Sequence, residues 1–145
     1  HRTAPEKRHD IFLEIAKKMK GSNIKFITTT DVTETKDDYY KLLAKAKVSW
    51  SGGLQETCGI STFESMWLDC IVMVPDRLSY QEMYFDMFKY NPQLDVNVDA
   101  QCEMIKYAIE NYDEYVDSIR ENAERLKTEQ GPTAVERMLK VITEA

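Results

Sequence analysis

Apolar residues recur along the chain at two different periods, and each period predicts a different element. From Pro5 to about Lys20, the residues Ile11, Phe12, Ile15, Ala16 and Met19 fall at helical spacing, with Pro5 suited to a first turn and Gly21 to an exit. That pattern predicts a one-faced amphipathic helix. Asn23 to Thr28, carrying Ile24, Phe26 and Ile27, predicts a short strand, and the polar stretch Thr29 to Lys36 predicts a loop. Asp37 and Asp38 open a second helix bearing Tyr40, Leu42, Leu43 and Ala46, and Val48 to Trp50 follow as a strand broken by Ser51, Gly52 and Gly53. A helix is expected from about Ile60 to Asp69. The compact run Ile71-Val72-Met73-Val74 is too short for a helix and predicts a strand buried on both faces, ended by Pro75.

Beyond Tyr80 the pattern predicts a helix through Met87, a last strand near Leu94 to Val98, and helix from Asp99 to Ala145 broken at Gly131-Pro132. Strand, helix and strand alternating with short links predict right-handed βαβ units and a doubly wound parallel sheet. Residues 1–98 are expected to form that sheet domain, and 99–145 to be helices packed on it.

Composition narrows the class. At 145 residues the chain is long enough for one domain and too short for two full α/β domains, so a site needing a second domain must borrow it. With 43% hydrophobic and 30% charged residues, a disordered or fibrous chain is excluded. The longest apolar run is far below the roughly 20 residues of a membrane span, and no signal peptide opens the chain, so it is read as cytoplasmic. A net charge of -6 repels phosphate backbones on average and leaves room only for a local basic site. Cys58, Cys70 and Cys102 are odd in number, with no CxxC and two histidines in the chain, so they read as reduced packing residues and no metal is expected.

The segment from Leu54 to Pro75 carries the most chemistry. It reads as a strand end, a Gly-containing loop, a helix start and the next strand. Backbone N–H groups around Gly59, Ile60 and Ser61 would leave the helix start, where the dipole favours an anion such as phosphate. In an open parallel sheet, ligands bind in the crevice outside the strand carboxyl ends. Glu56 in the loop and Glu64 a turn into the helix stand eight positions apart and can face that crevice, where carboxylates accept hydrogen bonds from sugar hydroxyls.

Glu56 and Glu64, followed by the strand ending in Val74-Pro75, resemble the glutamate pair of retaining glycosyltransferases of the GT-B fold, in the manner of glycosyltransferase family 4. Arg2-Thr-Ala-Pro-Glu-Lys7 is similar to the Arg and Lys five residues apart that hold the donor diphosphate in that family, with His1 where many members have Gly. His1-Arg2 and Asp76-Arg77-Leu78-Ser79-Tyr80 look most like the branch that includes the queuosine-tRNA mannosyltransferases.

The resemblance spans roughly His1 to Tyr84 and covers the C-terminal, donor-binding, Rossmann-like half of such an enzyme. The strand that should precede His1 is missing, so the chain looks like an excised domain whose partner is the N-terminal Rossmann domain. The resemblance implies a nucleotide-sugar donor and no other cofactor. It gives Arg2 and Lys7 the task of neutralising the diphosphate leaving group, Glu56 contact with the donor sugar, and Glu64 contact with the ribose hydroxyls, neither glutamate being a covalent nucleophile. A nucleic-acid acceptor stays open but gains no support from the charge. The rival class is a non-catalytic α/β interaction module whose acidic, Tyr-bearing helical tail binds a protein. A nucleotide-sugar epimerase would need catalytic groups this chain lacks.

Overall fold

The computed structural model describes residues 5–55 and 59–130. A 3-10 turn, Pro5–Lys7, leads through Arg8 into α1, His9–Lys18, which buries Ile11 and Ile15 and sets Phe12 beside Phe26 and Trp50. Then come α2 (Thr29–Val32), α3 (Lys36–Leu43), β1 (Val48–Trp50), α4 (Ile60–Trp67), β2 (Ile71–Pro75), α5 (Tyr80–Met83), β3 (Lys89–Tyr90), α6 (Val98–Glu110) and α7 (Tyr112–Gln130). Among the described residues the three strands form one parallel sheet in the order β1-β2-β3, with Val48 opposite Ile71, Trp50 opposite Met73, and Pro75 opposite Tyr90.

The central strand is buried along its whole length, as a continuous apolar run between helices requires. Helix pairs α1 with α6 and α4 with α7 cover the sheet, α6 touching β1 and α7 touching β2. Their apolar stripes join Met66, Val72, Val74, Tyr80, Phe88, Ile119 and Leu126 in one core. Two hydrogen-bonded side chains fix the helices to this core. Gln101 of α6 accepts the Trp50 indole N–H at 2.9 Å and donates to the Leu94 carbonyl at 3.0 Å. Asn122 of α7 donates to the Met83 carbonyl at 2.8 Å and accepts the Phe85 N–H at 2.7 Å.

Five expectations need correction. Asn23 to Thr28 joins no sheet: Lys25, Phe26 and Ile27 make no backbone hydrogen bond among the described residues, because β propensity does not provide a neighbouring strand. The Thr29 to Lys36 loop contains the single turn α2. The helix from Tyr80 stops at Met83, where Tyr84 and Phe85 turn extended and Phe85 N–H bonds Asn122 instead of continuing the helix. The last strand lies at Lys89–Tyr90 rather than Leu94 to Val98: Pro92 has no N–H for a ladder, Asn91 caps a 3-10 turn over Pro92–Leu94, and Asn97 caps α6. Within the predicted C-terminal helix the chain breaks at Asn111, and the break expected at Gly131-Pro132 lies outside the described residues.

No helix among the described residues is long and apolar enough to cross a membrane. Cys70 and Cys102 are free and buried, while Cys58 is outside the described residues. Burial, aided by the neighbouring Asp69 carboxylate, pushes the Cys70 thiol up from 9.0 to about 12. In the unfolded chain this thiol ionises first, so the folded state holds one more proton between those values and loses stability as pH rises. Stability should therefore fall above pH 9 by up to about 1.4 kcal/mol per pH unit from this group. Urea unfolding midpoints between pH 8 and pH 11 check this: Cys70→Ala should flatten the slope, whatever its effect at pH 8.

Candidate functional site

The carboxyl end of β1 is held by a hydrogen-bonded serine. Ser51, 3% exposed, pairs its hydroxyl with Tyr80 at 3.2 Å, accepts the Gly53 N–H on it at 3.3 Å, and offers its carbonyl to the Tyr90 hydroxyl at 3.1 Å. Glycine is required in the turn that follows. A Cβ at Gly52 would stand 2.6 Å from the Trp50 ring and 2.8 Å from Cβ of Arg8, so the chain from the first turn lies directly against this loop. The Leu54 N–H donates to the Glu6 carbonyl at 2.8 Å, and Lys7 Nζ donates to the Gln55 carbonyl at 3.4 Å. The Pro5–Lys7 turn and the loop leading to Glu56 are thereby joined.

Gly59 starts α4 in the left-handed region, with φ 61°. The amides of Thr62 and Phe63 return to the Gly59 carbonyl, as does the Thr62 hydroxyl at 2.7 Å, so the first turn is closed on itself. The Gly59 and Ile60 N–H groups precede these bonds and make none among the described residues.

Glu64 points to α3 rather than to open solvent. Its Oε1 accepts from the Tyr40 hydroxyl at 2.8 Å and meets Lys36 Nζ at 2.9 Å, with the carboxylate side chain 15% exposed. This hydrogen bond holds the Lys36 ammonium above its usual range, while burial and the nearby Glu64 carboxylate push the Tyr39 phenol up. Lys36 lies within 5.2 Å of both the Tyr39 and Tyr40 ring centres, so a cation, two phenols and a carboxylate form one cluster.

Two cavities adjoin here. The larger, about 680 Å³, is lined by Lys7, Trp50, Ser51 and Ser61 at the end of β1 and by the 23–29 run, α3 and α6. The smaller, about 460 Å³, is lined by Ile60, Ser61 and Glu64 against Thr29, Lys36 and Tyr39. Thr29, Tyr39 and Ser61 line both.

Of the expected site residues, the structure thus brings Lys7 and Ser61 to one cavity and Ile60, Ser61 and Glu64 to the next, with Gly59 buried at the helix start. Arg2 and Glu56 lie outside the described residues. Sequence reasoning puts Lys36 in a loop and takes Tyr39 and Tyr40 as core or helix-face aromatics, and so misses their cluster with Glu64; the four-residue spacing of Lys36 and Tyr40 becomes a signal only once α3 is seen to start at Lys36. Fold and site together define an α/β domain with one cavity running along β1 from Lys47 to Ser51 and a second between α3 and the start of α4. No family model, curated protein or solved structure matches this chain.

Proposed function

We propose that this chain is the nucleotide-sugar-binding domain of a retaining glycosyltransferase, its three strands belonging to a doubly wound, Rossmann-like sheet that forms one half of a GT-B enzyme. The observation that carries the reading is that Lys7, Ser51 at the carboxyl end of β1 and Ser61 at the start of α4 line one cavity. A cation beside a helix start suits a diphosphate. In this reading Lys7, with Arg2, balances the charge that builds on the leaving diphosphate as the glycosidic C–O bond breaks. Amides at Gly59 and Ile60 add donors. Glu56 contacts the donor sugar. Glu64, oriented through Oε1 by Lys36 and Tyr40, accepts from ribose hydroxyls. The acceptor and the second wall of the cleft come from an N-terminal domain, and the reaction needs no metal. The free, buried Cys70 and Cys102 suit a reducing cytoplasm.

Thermal unfolding with UDP, GDP and ADP tests this. A bound nucleotide at a hundred times its dissociation constant stabilises the folded chain by about 2.7 kcal/mol, several degrees for a domain of this size. A melting temperature unchanged across millimolar amounts of all three would remove the reading.

A further inference from the structure

Glu64 meets the smaller cavity with half of its carboxylate already engaged. Oε1 has two acceptor positions, and the Tyr40 hydroxyl at 2.8 Å and Lys36 Nζ at 2.9 Å fill them. Oε2 accepts no hydrogen bond among the described residues, so a ligand finds one open oxygen rather than two. Lys36 supplies the complement. Of its three N–H donors, Glu64 and the Tyr40 hydroxyl take two at most, and the bond to Glu64 keeps the ammonium charged by holding its pKa up. Both groups are fixed in place. Lys36 is the first residue of α3, whose start is capped by Thr35 accepting the Asp38 N–H at 3.1 Å, and its ammonium stands 5.2 Å from the Tyr39 ring centre and 5.1 Å from that of Tyr40. Glu64 and Lys36 line the smaller cavity together with Thr29, Thr33 and Ile60.

We infer that Lys36 and Glu64 share the ribose diol of the donor nucleotide, one hydroxyl donating to Glu64 Oε2 and its neighbour accepting from Lys36 Nζ. A carboxylate only accepts and an ammonium only donates, while a hydroxyl does either, so two hydroxyls on adjacent carbons satisfy both groups at once. A lone hydroxyl satisfies one of them and leaves the other bare. The lactam edge of a nucleobase, with its N–H beside its C=O, has the same pairing, but distance favours the sugar. Glu64 lies one turn, about 6 Å, along α4 from Ile60, which is the reach from a phosphate at the helix start to the hydroxyls of the nucleoside sugar that bears it; the base lies farther. The inference rests on the nucleotide-sugar reading and narrows it: the donor is a ribonucleotide sugar, and 2′-deoxy donors such as deoxythymidine diphosphate sugars are excluded.

NMR titration of the full chain tests this with UDP, GDP and ADP and the 2′-deoxy and 3′-deoxy form of each, on the parent and on Lys36→Met. The Lys36 side chain is 62% exposed, so a methionine of similar length leaves the core as it is. For the base bound most tightly, removing either hydroxyl should weaken binding to the parent about tenfold. Lys36→Met should cost the ribo form and one deoxy form a similar factor, yet leave the other deoxy form, which lacks the hydroxyl that Lys36 holds, bound as in the parent. Ribo and deoxy forms bound equally well by the parent, or a loss confined to one hydroxyl, would overturn the inference and leave the diphosphate site standing. So would a Lys36→Met loss of equal size with all three forms, which places Lys36 on the base or the phosphates, and a variant silent toward both deoxy forms, which has Lys36 act only through Glu64. No shift with any of the three diphosphates would remove the nucleotide reading along with the inference.

Discussion

Replacing Asn122 with leucine, close to it in shape, should lower the unfolding free energy by about 2 to 4 kcal/mol. Asn122 is fully buried on α7 and serves two backbone groups of the segment following α5. They fare differently when it is removed. The Met83 carbonyl keeps a second donor, since Arg125 Nη2 reaches it at 2.5 Å and also bonds the Glu82 carbonyl. The Phe85 N–H bonds Asn122 among the described residues, and without it is left in an apolar setting with the ring of Phe88 nearby. Most of the loss is thus the cost of one buried, unsatisfied donor, and it is a large share of the 5 to 15 kcal/mol typical of a domain. Urea unfolding checks it through a lowered midpoint at unchanged slope. Asn122→Ala should lose at least as much. A leucine variant as stable as the parent would mean that Phe85 finds another acceptor when α7 shifts.

The second large effect is expected at the proposed diphosphate site, where Lys7 and Glu64 should fail in different ways. Lys7→Ala removes a cation whose worth grows as charge builds on the leaving group. In the enzyme with both domains, kcat and kcat/KM should fall together by about 100-fold, and the nucleotide-dependent rise in melting temperature of the isolated chain should largely vanish. Glu64→Gln keeps the shape and can still accept from Tyr40, but it loses the charge that faces Lys36. Ribose hydroxyls are the same in ground and transition states, so donor KM should rise with kcat nearly unchanged. Steady-state kinetics against donor concentration separates the two patterns. If Lys7→Ala raised KM alone while Glu64→Gln abolished kcat, the two roles would be wrongly assigned.

Both sites rest on elements that differ in how plainly the sequence announces them. β1, α4 and β2 are readable because each is fixed locally: Val48 to Trp50 ends at glycines, α4 starts at Gly59, and Ile71 to Pro75 has no polar position to place in water. The 23–28 run is as rich in β-forming residues as β1 but pairs with no strand among the described residues, and pairing is a non-local property. Leu94, Val96 and Val98 alternate like a strand, but the caps at Asn91 and Asn97 decide the actual conformation and β3 lies earlier, at Lys89–Tyr90. At the site, Lys7 is singled out by the resemblance to the glycosyltransferase Arg–Lys pair, and the structure sets it against the loop after β1 through the Gln55 carbonyl. The clamp of Lys36 and Tyr40 on Glu64 is not legible in the sequence, because it depends on how α3 docks against α4.

The dependence of β2 on α7 has a consequence for synthesis. Translation delivers β2 well before α7, whose Ile119 and Leu126 are fully buried in the core that β2 centres. A ribosome adding roughly 5 to 20 residues per second therefore leaves the apolar run Ile71 to Val74 without its final cover for seconds. During that interval the nascent chain presents a short strand of aggregation-prone composition, with α4 as its earliest shield. Chaperone demand during production of this domain should accordingly depend on how quickly translation proceeds from β2 to the end of α7.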